Sequence, residues 1–225
     1  YDQVAMREDV PVNLSSTALA THAYLYTGED RYRDWVIEYT EAWMERMERN
    51  GGIIPDNVGP AGEIGENRQG EWWGGFYGWT SRFAPGIITN GIIVASECAH
   101  LMTADRRYLE FLRKHIDNLL ELAVQRDGTL QTPSRCLDGE WIEYAEPGCS
   151  DPIHLWTTSM EEQDHARLQR LRNASQDRWL SVQSLGPRGT DDRAWTRYLD
   201  GDLPDYPERI LQANYIEVCR RLDMV

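Results

Sequence analysis

The sequence has no apolar run near the ~18 residues that a transmembrane helix requires. It has no basic stripe either. The formal charge is -14, which argues against a nucleic-acid surface or an anionic membrane as partner. Cysteine is sparse and never paired as Cys-x-x-Cys. The four residues are Cys98, Cys136, Cys149 and Cys219, so a zinc ribbon or thioredoxin motif is excluded. Cys98 and Cys219 sit in apolar helical patterns and read as buried thiols. Cys136 and Cys149 sit in loop-like sequence and read either as a disulfide or as two thiols. There is no phosphate-binding Gly-x-x-x-x-Gly-Lys-Ser/Thr, no Gly-x-Ser-x-Gly and no His-Glu-x-x-His. Asp127-Gly128 and Asp138-Gly139 lack the alternating acidic ligands of a calcium loop. No metal or cofactor is expected. No signal peptide precedes Tyr1, and the absence of a starting Met suggests a processed or excised piece.

What is abundant is concentrated. The segment from Asn57 to Trp79 holds seven glycines, three tryptophans (Trp72, Trp73, Trp79), Phe76 and Tyr77. So many glycines disfavour both helix and strand. Flexible linkers run to Gly and Ser instead, without this aromatic surface. Aromatic faces beside Glu63, Glu66, Asn67, Arg68 and Glu71 suit a polar ring-shaped ligand such as a sugar.

The flanking sequence is helical and repeated. Residues 13–26 read as a weakly polar helix. Residues 32–48 follow as an amphipathic one with Trp35, Tyr39, Ala42, Trp43 and Met47 on one stripe. Residues 86–102 are mostly apolar, and residues 107–125 carry the stripe Tyr108, Leu112, Ile116, Leu119, Ala123. The turn Leu25-Tyr-Thr-Gly-Glu-Asp-Arg-Tyr32 matches Leu101-Met-Thr-Ala-Asp-Arg-Arg-Tyr108. Hairpins are thus expected at about 13–50 and 86–127. A third unit begins near 206, with Pro207 in the first turn and the stripe Leu211, Tyr215, Val218, Leu222. Such hairpins bury their apolar faces only by stacking. Two and a half of them predict a single domain, or an arc of something larger with an open apolar flank. Thr129 to Asp205 reads as irregular, with turn chemistry at Thr132-Pro-Ser-Arg and Glu146-Pro-Gly. Trp141–Tyr144 alternates like a short strand, Ser159-Met-Glu-Glu162 is a capping box, and Asp191–Leu199 is a possible short helix.

This combination resembles the (α/α)-toroid carbohydrate-active enzymes, most closely the toroid polysaccharide lyases acting on uronic-acid polymers. It comprises apolar first helices, amphipathic second helices, the repeated Leu-x-Thr-Gly/Ala turn and a Gly-aromatic connection. The likeness covers roughly residues 10–130. It implies an all-α fold of repeated helical hairpins, a partial (α/α) toroid or incomplete barrel with long irregular loops. It implies a poly- or oligosaccharide substrate, and completion by the rest of a larger chain or by a second copy. β-Elimination needs a group that neutralises the uronate carboxylate, a base for the C5 proton and an acid for the leaving oxygen. Arg68 and Asn67 suit the first role; Tyr77 and His154 suit the proton transfers, with Glu66 as a further catalytic candidate. Trp72, Trp73 and Trp79 suit ring stacking, with Glu63 beside them. Each has a plainer reading. Tyr77 can be a packing residue, His154 a loop histidine, Arg68 a surface partner of Glu66 or Glu71, and one of the tryptophans a core residue. His22 and His100 read as hydrogen-bonded core histidines. A glycoside hydrolase on the same scaffold would instead set a second carboxylate across from Glu63 or Glu66. A helical-repeat binding module would show an aromatic groove without titratable groups. A sugar epimerase would want paired histidines, and here they are scattered.

Overall fold

The computed structural model describes residues 7–126, 128–147, 150–174, 198, 201 and 203–222. Seven α-helices and three strands occur among them: α1 (Thr17–Thr27), α2 (Asp30–Arg49), α3 (Ala84–Thr103), α4 (Leu109–Glu121), β1 (Val124–Arg126), β2 (Thr129–Leu137), β3 (Glu140–Ala145), α5 (Ser150–Ser159), α6 (Glu162–Ala174) and α7 (Tyr206–Leu222). No helix among them is long and apolar enough to cross a membrane.

The two expected hairpins form. α1 packs on α2, α3 on α4, and the pairs meet through α1–α3 and α2–α3 contacts. The repeated turn is repeated in atomic detail. Gly28 and Ala104 both adopt left-handed backbone, at φ +69° and +57°, and each donates its N–H four residues back, to Tyr24 and His100. Thr27 Oγ1 donates to the Ala23 carbonyl and accepts the Glu29 N–H; Thr103 does the same with Ala99 and Asp105. The side-chain oxygen thereby satisfies backbone groups that a helix end leaves open.

The all-α expectation is overturned by an antiparallel sheet, β1-β2-β3, which makes the fold mixed α/β. α4 stops at Glu121, short of the expected Gln125, and the chain enters β1 at Val124. The two Asp-Gly pairs explain the sheet. Arg126 faces Thr129 across one of them, and Leu137 faces Glu140 across the other, where Asp138 and Gly139 form a two-residue hairpin loop. Asp138 and Gly139 both have positive φ, 52° and 78°, as a type I′ turn requires. Pro133, read from sequence as turn chemistry, lies inside β2. There β1 no longer pairs and the register with β3 shifts, which spares the missing N–H.

The main core joins both hairpins to the sheet through Leu14, Trp43, Met47, Trp79, Ile88, Ile92, Phe111, Leu112 and Cys136. Cys136 is a free, buried thiol, with burial pushing its pKa up to about 11. Cys149, the other half of the disulfide alternative, lies outside the described residues. Cys98 and Cys219 are only partly buried. Ion pairs bind α6 to α4: Arg113 meets Asp164 at 2.6 Å in the interior, and Arg167 meets the more exposed Asp117 at 2.7 Å. Ser159 accepts the Glu161 N–H and donates to Asp164, so the expected capping serine also anchors this network. α1 shows Leu19, Leu25 and Tyr26 to solvent, and α7 shows Leu211, Tyr215, Val218 and Leu222. Most of the expected helix at Asp191–Leu199 lies outside the described residues.

Candidate functional site

The Gly-rich segment is built around Asp56, the residue just before it, whose side chain is fully enclosed. Oδ1 accepts the Gly75 N–H at 2.7 Å and the Asn57 amide at 3.1 Å. Oδ2 accepts the N–H groups of Gly74 and Trp79 at 3.0 and 2.6 Å. Burial raises the Asp56 pKa, and these four donors work against that rise. The close approach explains two of the glycines. A Cβ on Gly78 would stand 2.1 Å from Asp56 Oδ2, and one on Gly75 would stand 2.0 Å from the Asp56 carbonyl oxygen. Asn57 adds a second clasp by donating to the carbonyls of Glu71 and Trp73. Its own Oδ1 is buried and has no hydrogen-bond partner among the described residues. The sheet holds the far end: Cys136 donates its N–H to the Trp79 carbonyl, and Arg135 Nε donates to that of Thr80.

The tryptophans divide. Trp79 is wholly buried, its indole N–H bonded to the Ile54 carbonyl and its ring edge-on to Trp141 at 5.1 Å. It is a core residue and offers no face to a sugar. Trp72 and Trp73 are partly buried against the same core, with Trp72 5.9 Å from Trp141. Tyr77 is half exposed, 4.2 Å from the Phe76 ring, and has left-handed backbone at φ +57°. A bulky residue in that region is held there at a cost in energy, and such strain gathers at functional sites.

The charged candidates have defined partners. Arg68 Nε contacts both oxygens of buried Glu8, at 2.9 and 3.0 Å. Its charge therefore compensates Glu8, and neither Glu66 nor Glu71 is the partner. Exposed Glu66 accepts the Ala61 N–H at 2.9 Å, and exposed Glu63 pairs with Arg49 at 2.8 Å. Asn67 is exposed. His154 lies on α5, a helix where the sequence suggested a loop, and its Nδ1 is 3.1 Å from Glu97 Oε1 on α3. Arg68 and His154 thus answer to different carboxylates on different elements. His22 is exposed, not in the core, and His100 contacts the Asp105 carbonyl. The enclosed histidine is His115, 3.0 Å from Thr89 Oγ1, with burial lowering its pKa to about 4.

Beside the segment lies an open cavity of about 340 Å³, lined by Arg7, Asp9, Arg46, Val58, Gly59, Pro60 and Gly62. A backbone bridge between Asp9 and Val58 forms one wall. Asp9 is fixed by the Tyr39 hydroxyl at 2.8 and 2.9 Å and by the Asn13 amide at 2.8 Å. Burial and the Asp9 charge raise the Tyr39 pKa well above its usual value. Asp9, Arg46 and Asp56 escaped the sequence reading. Asp56 borders the glycine run, but nothing in its neighbours marks it as the acceptor. Among the described residues no cluster of three metal-ligating side chains occurs.

Fold and site together define a mixed α/β protein in which two helical hairpins and a small sheet clamp a Gly-aromatic segment. A family model, Domain of unknown function (DUF8034), matches residues 2–137 and 124–225, so the chain belongs to that family. No curated protein and no solved structure matches it.

Proposed function

We propose that the chain is a carbohydrate-active enzyme, or part of one, that cleaves a uronic-acid-containing polysaccharide by β-elimination. The observation that carries this reading is Tyr77: a half-exposed phenol in strained backbone, at the tip of a loop fixed by a buried carboxylate. A rigid support of this kind is what a proton-transfer group needs to hold its geometry. Tyr77 takes the C5 proton and returns one to the leaving oxygen. Trp72 and Trp73 supply partial ring faces, and Asn67, Glu66 and Glu63 supply exposed polar groups for sugar hydroxyls. Arg68 is committed to Glu8 and leaves the role of carboxylate neutraliser to another cation. His154 belongs with Glu97 and has no part in this scheme.

The test is incubation of the protein with a panel of uronate polymers, read by the ultraviolet absorbance of an unsaturated uronate end. Absorbance that appears with the wild type and is lost in Tyr77→Phe supports the proposal. New reducing ends without absorbance would replace it with hydrolysis, and binding without any cleavage would replace it with a carbohydrate-binding module.

A further inference from the structure

We infer that the cavity between Arg46 and the Val58–Gly62 turn is a binding site for a small carboxylate, with Arg46 as its principal ligand. The argument starts from charge. Acidic side chains outnumber basic ones, 37 to 23, so an arginine has many carboxylates to choose from. Of the partly or wholly buried arginines, Arg33, Arg68, Arg113, Arg135 and Arg167 each touch a carboxylate. Arg46, among the described residues, touches none. Its Nε makes one long contact, 3.4 Å, to the Gly62 carbonyl, and its guanidinium sits 5.5 Å from the Trp43 ring centre. A partly desolvated cation without a counter-charge is costly, and an anion arriving at it recovers that cost.

The surroundings fit the guest. The nearby acid, Asp9, already accepts from Tyr39 and Asn13. The lining therefore sets the Arg46 guanidinium beside a carboxylate that is already occupied. The volume of about 340 Å³ lies at the small end of ligand sites, about 300–1,000 Å³. Guanidinium matches a carboxylate in a planar, two-bond fork. Two sources share this chemistry: a uronic-acid residue of a glycan, and a free organic acid. The glycan source rests on the function proposed above, but the site stands or falls separately.

The experiment titrates the intact chain with sodium glucuronate, acetate, glucose and inorganic phosphate at matched ionic strength, followed by amide NMR shifts and calorimetry. The expected result is that glucuronate shifts the Val58, Gly59 and Gly62 amides and glucose does not. Arg46→Gln weakens binding roughly tenfold or more, as loss of a charged hydrogen bond implies. Arg46→Lys, which keeps the charge but not the fork, also weakens it and serves if the glutamine variant misfolds. The exposed control Arg170→Gln leaves binding unchanged. Acetate binding as tightly as glucuronate would assign the site to free organic acids; glucuronate alone would assign it to sugar acids. No shift with either carboxylate, tighter binding of phosphate, or unchanged binding in both Arg46 variants overturns the inference. If glucuronate binds but no polymer is cleaved, the site stands and the lyase reading falls. If cleavage persists with unchanged KM in the Arg46 variants, the lyase reading stands and the glycan source of the ligand falls.

Discussion

The Trp79 backbone N–H donates to Asp56 Oδ2 at 2.6 Å, and Gly78, one residue earlier, passes so close to that oxygen that any side chain would collide with it. The aromatic segment is therefore folded onto a buried charge. Asp56→Asn would place an amide donor among N–H donors and leave them unsatisfied. The expected loss is about 2–4 kcal/mol, from one or two buried groups unpaired. Gly78→Ala is expected to cost at least as much, because the colliding Oδ2 is held in place by two N–H donors, from Gly74 and Trp79. Denaturant unfolding of both variants measures this, and near-wild-type stability in both would remove Asp56 as the organising group.

The two copies of the interhelical turn differ at one informative position. Gly28 and Ala104 share left-handed backbone, which only glycine adopts without strain. Ala104→Gly is expected to stabilise the protein by about 0.5–1 kcal/mol, and Gly28→Ala to destabilise it by a similar amount. Thermal unfolding of the pair should shift in opposite directions.

His115 gives a pH dependence of known sign. Burial holds its folded pKa at about 4, below the unfolded value of about 6.5. Between these two values the unfolded chain takes up a proton that the folded chain refuses. The contribution to stability is complete above about pH 6.5 and is lost as pH falls toward 4, by about 3 kcal/mol in all. A His115→Gln variant should show a flatter stability profile over this window. An equally steep profile would assign the acid sensitivity to other groups.

Asp164 and Arg113 hold α6 against α4 from inside the protein, with Asp164 fully enclosed. Removing one partner of a buried pair costs about 3–5 kcal/mol, because the other charge is left uncompensated. Asp164→Ala is expected to lose that much and to raise hydrogen exchange in α6 before the helices α1–α3. Uniform loss of protection would show that α6 unfolds only with the whole domain.

Tyr77 separates reactivity from packing. Its side chain is half exposed, so Tyr77→Phe should leave stability within about 0.5 kcal/mol of wild type. As the proton-transfer group, its loss should reduce kcat on a uronate polymer by roughly 100-fold or more. Equal kcat in the two proteins would place the chemistry elsewhere.

Helices α2, α4 and α7 were legible because their apolar stripes repeat with the period of the backbone itself, and the matched turns fixed where each hairpin reverses; α5, in a stretch read as irregular, was not. Of the β1-β2-β3 sheet, only β3 was legible, in the alternation of Trp141–Tyr144. Pro133 masked β2, since a proline in that strand is tolerable only where the neighbouring strand ends and the register slips. The charges were not legible. Nothing near Arg68 in sequence points to Glu8, and nothing near His154 points to Glu97, because each partner arrives from another element.

By itself the sequence determined the local structure: which residues could sit in helices, where the chain must turn, and that the Asn57–Trp79 segment could be neither rod nor strand. Those properties depend on neighbours a few positions apart. The tertiary structure decided which tryptophan of the segment is enclosed, which partly buried arginine among the described residues keeps no carboxylate, and which acid gathers the glycines. Burial and charge compensation are set by atoms distant in the chain, and only folding brings those atoms within reach.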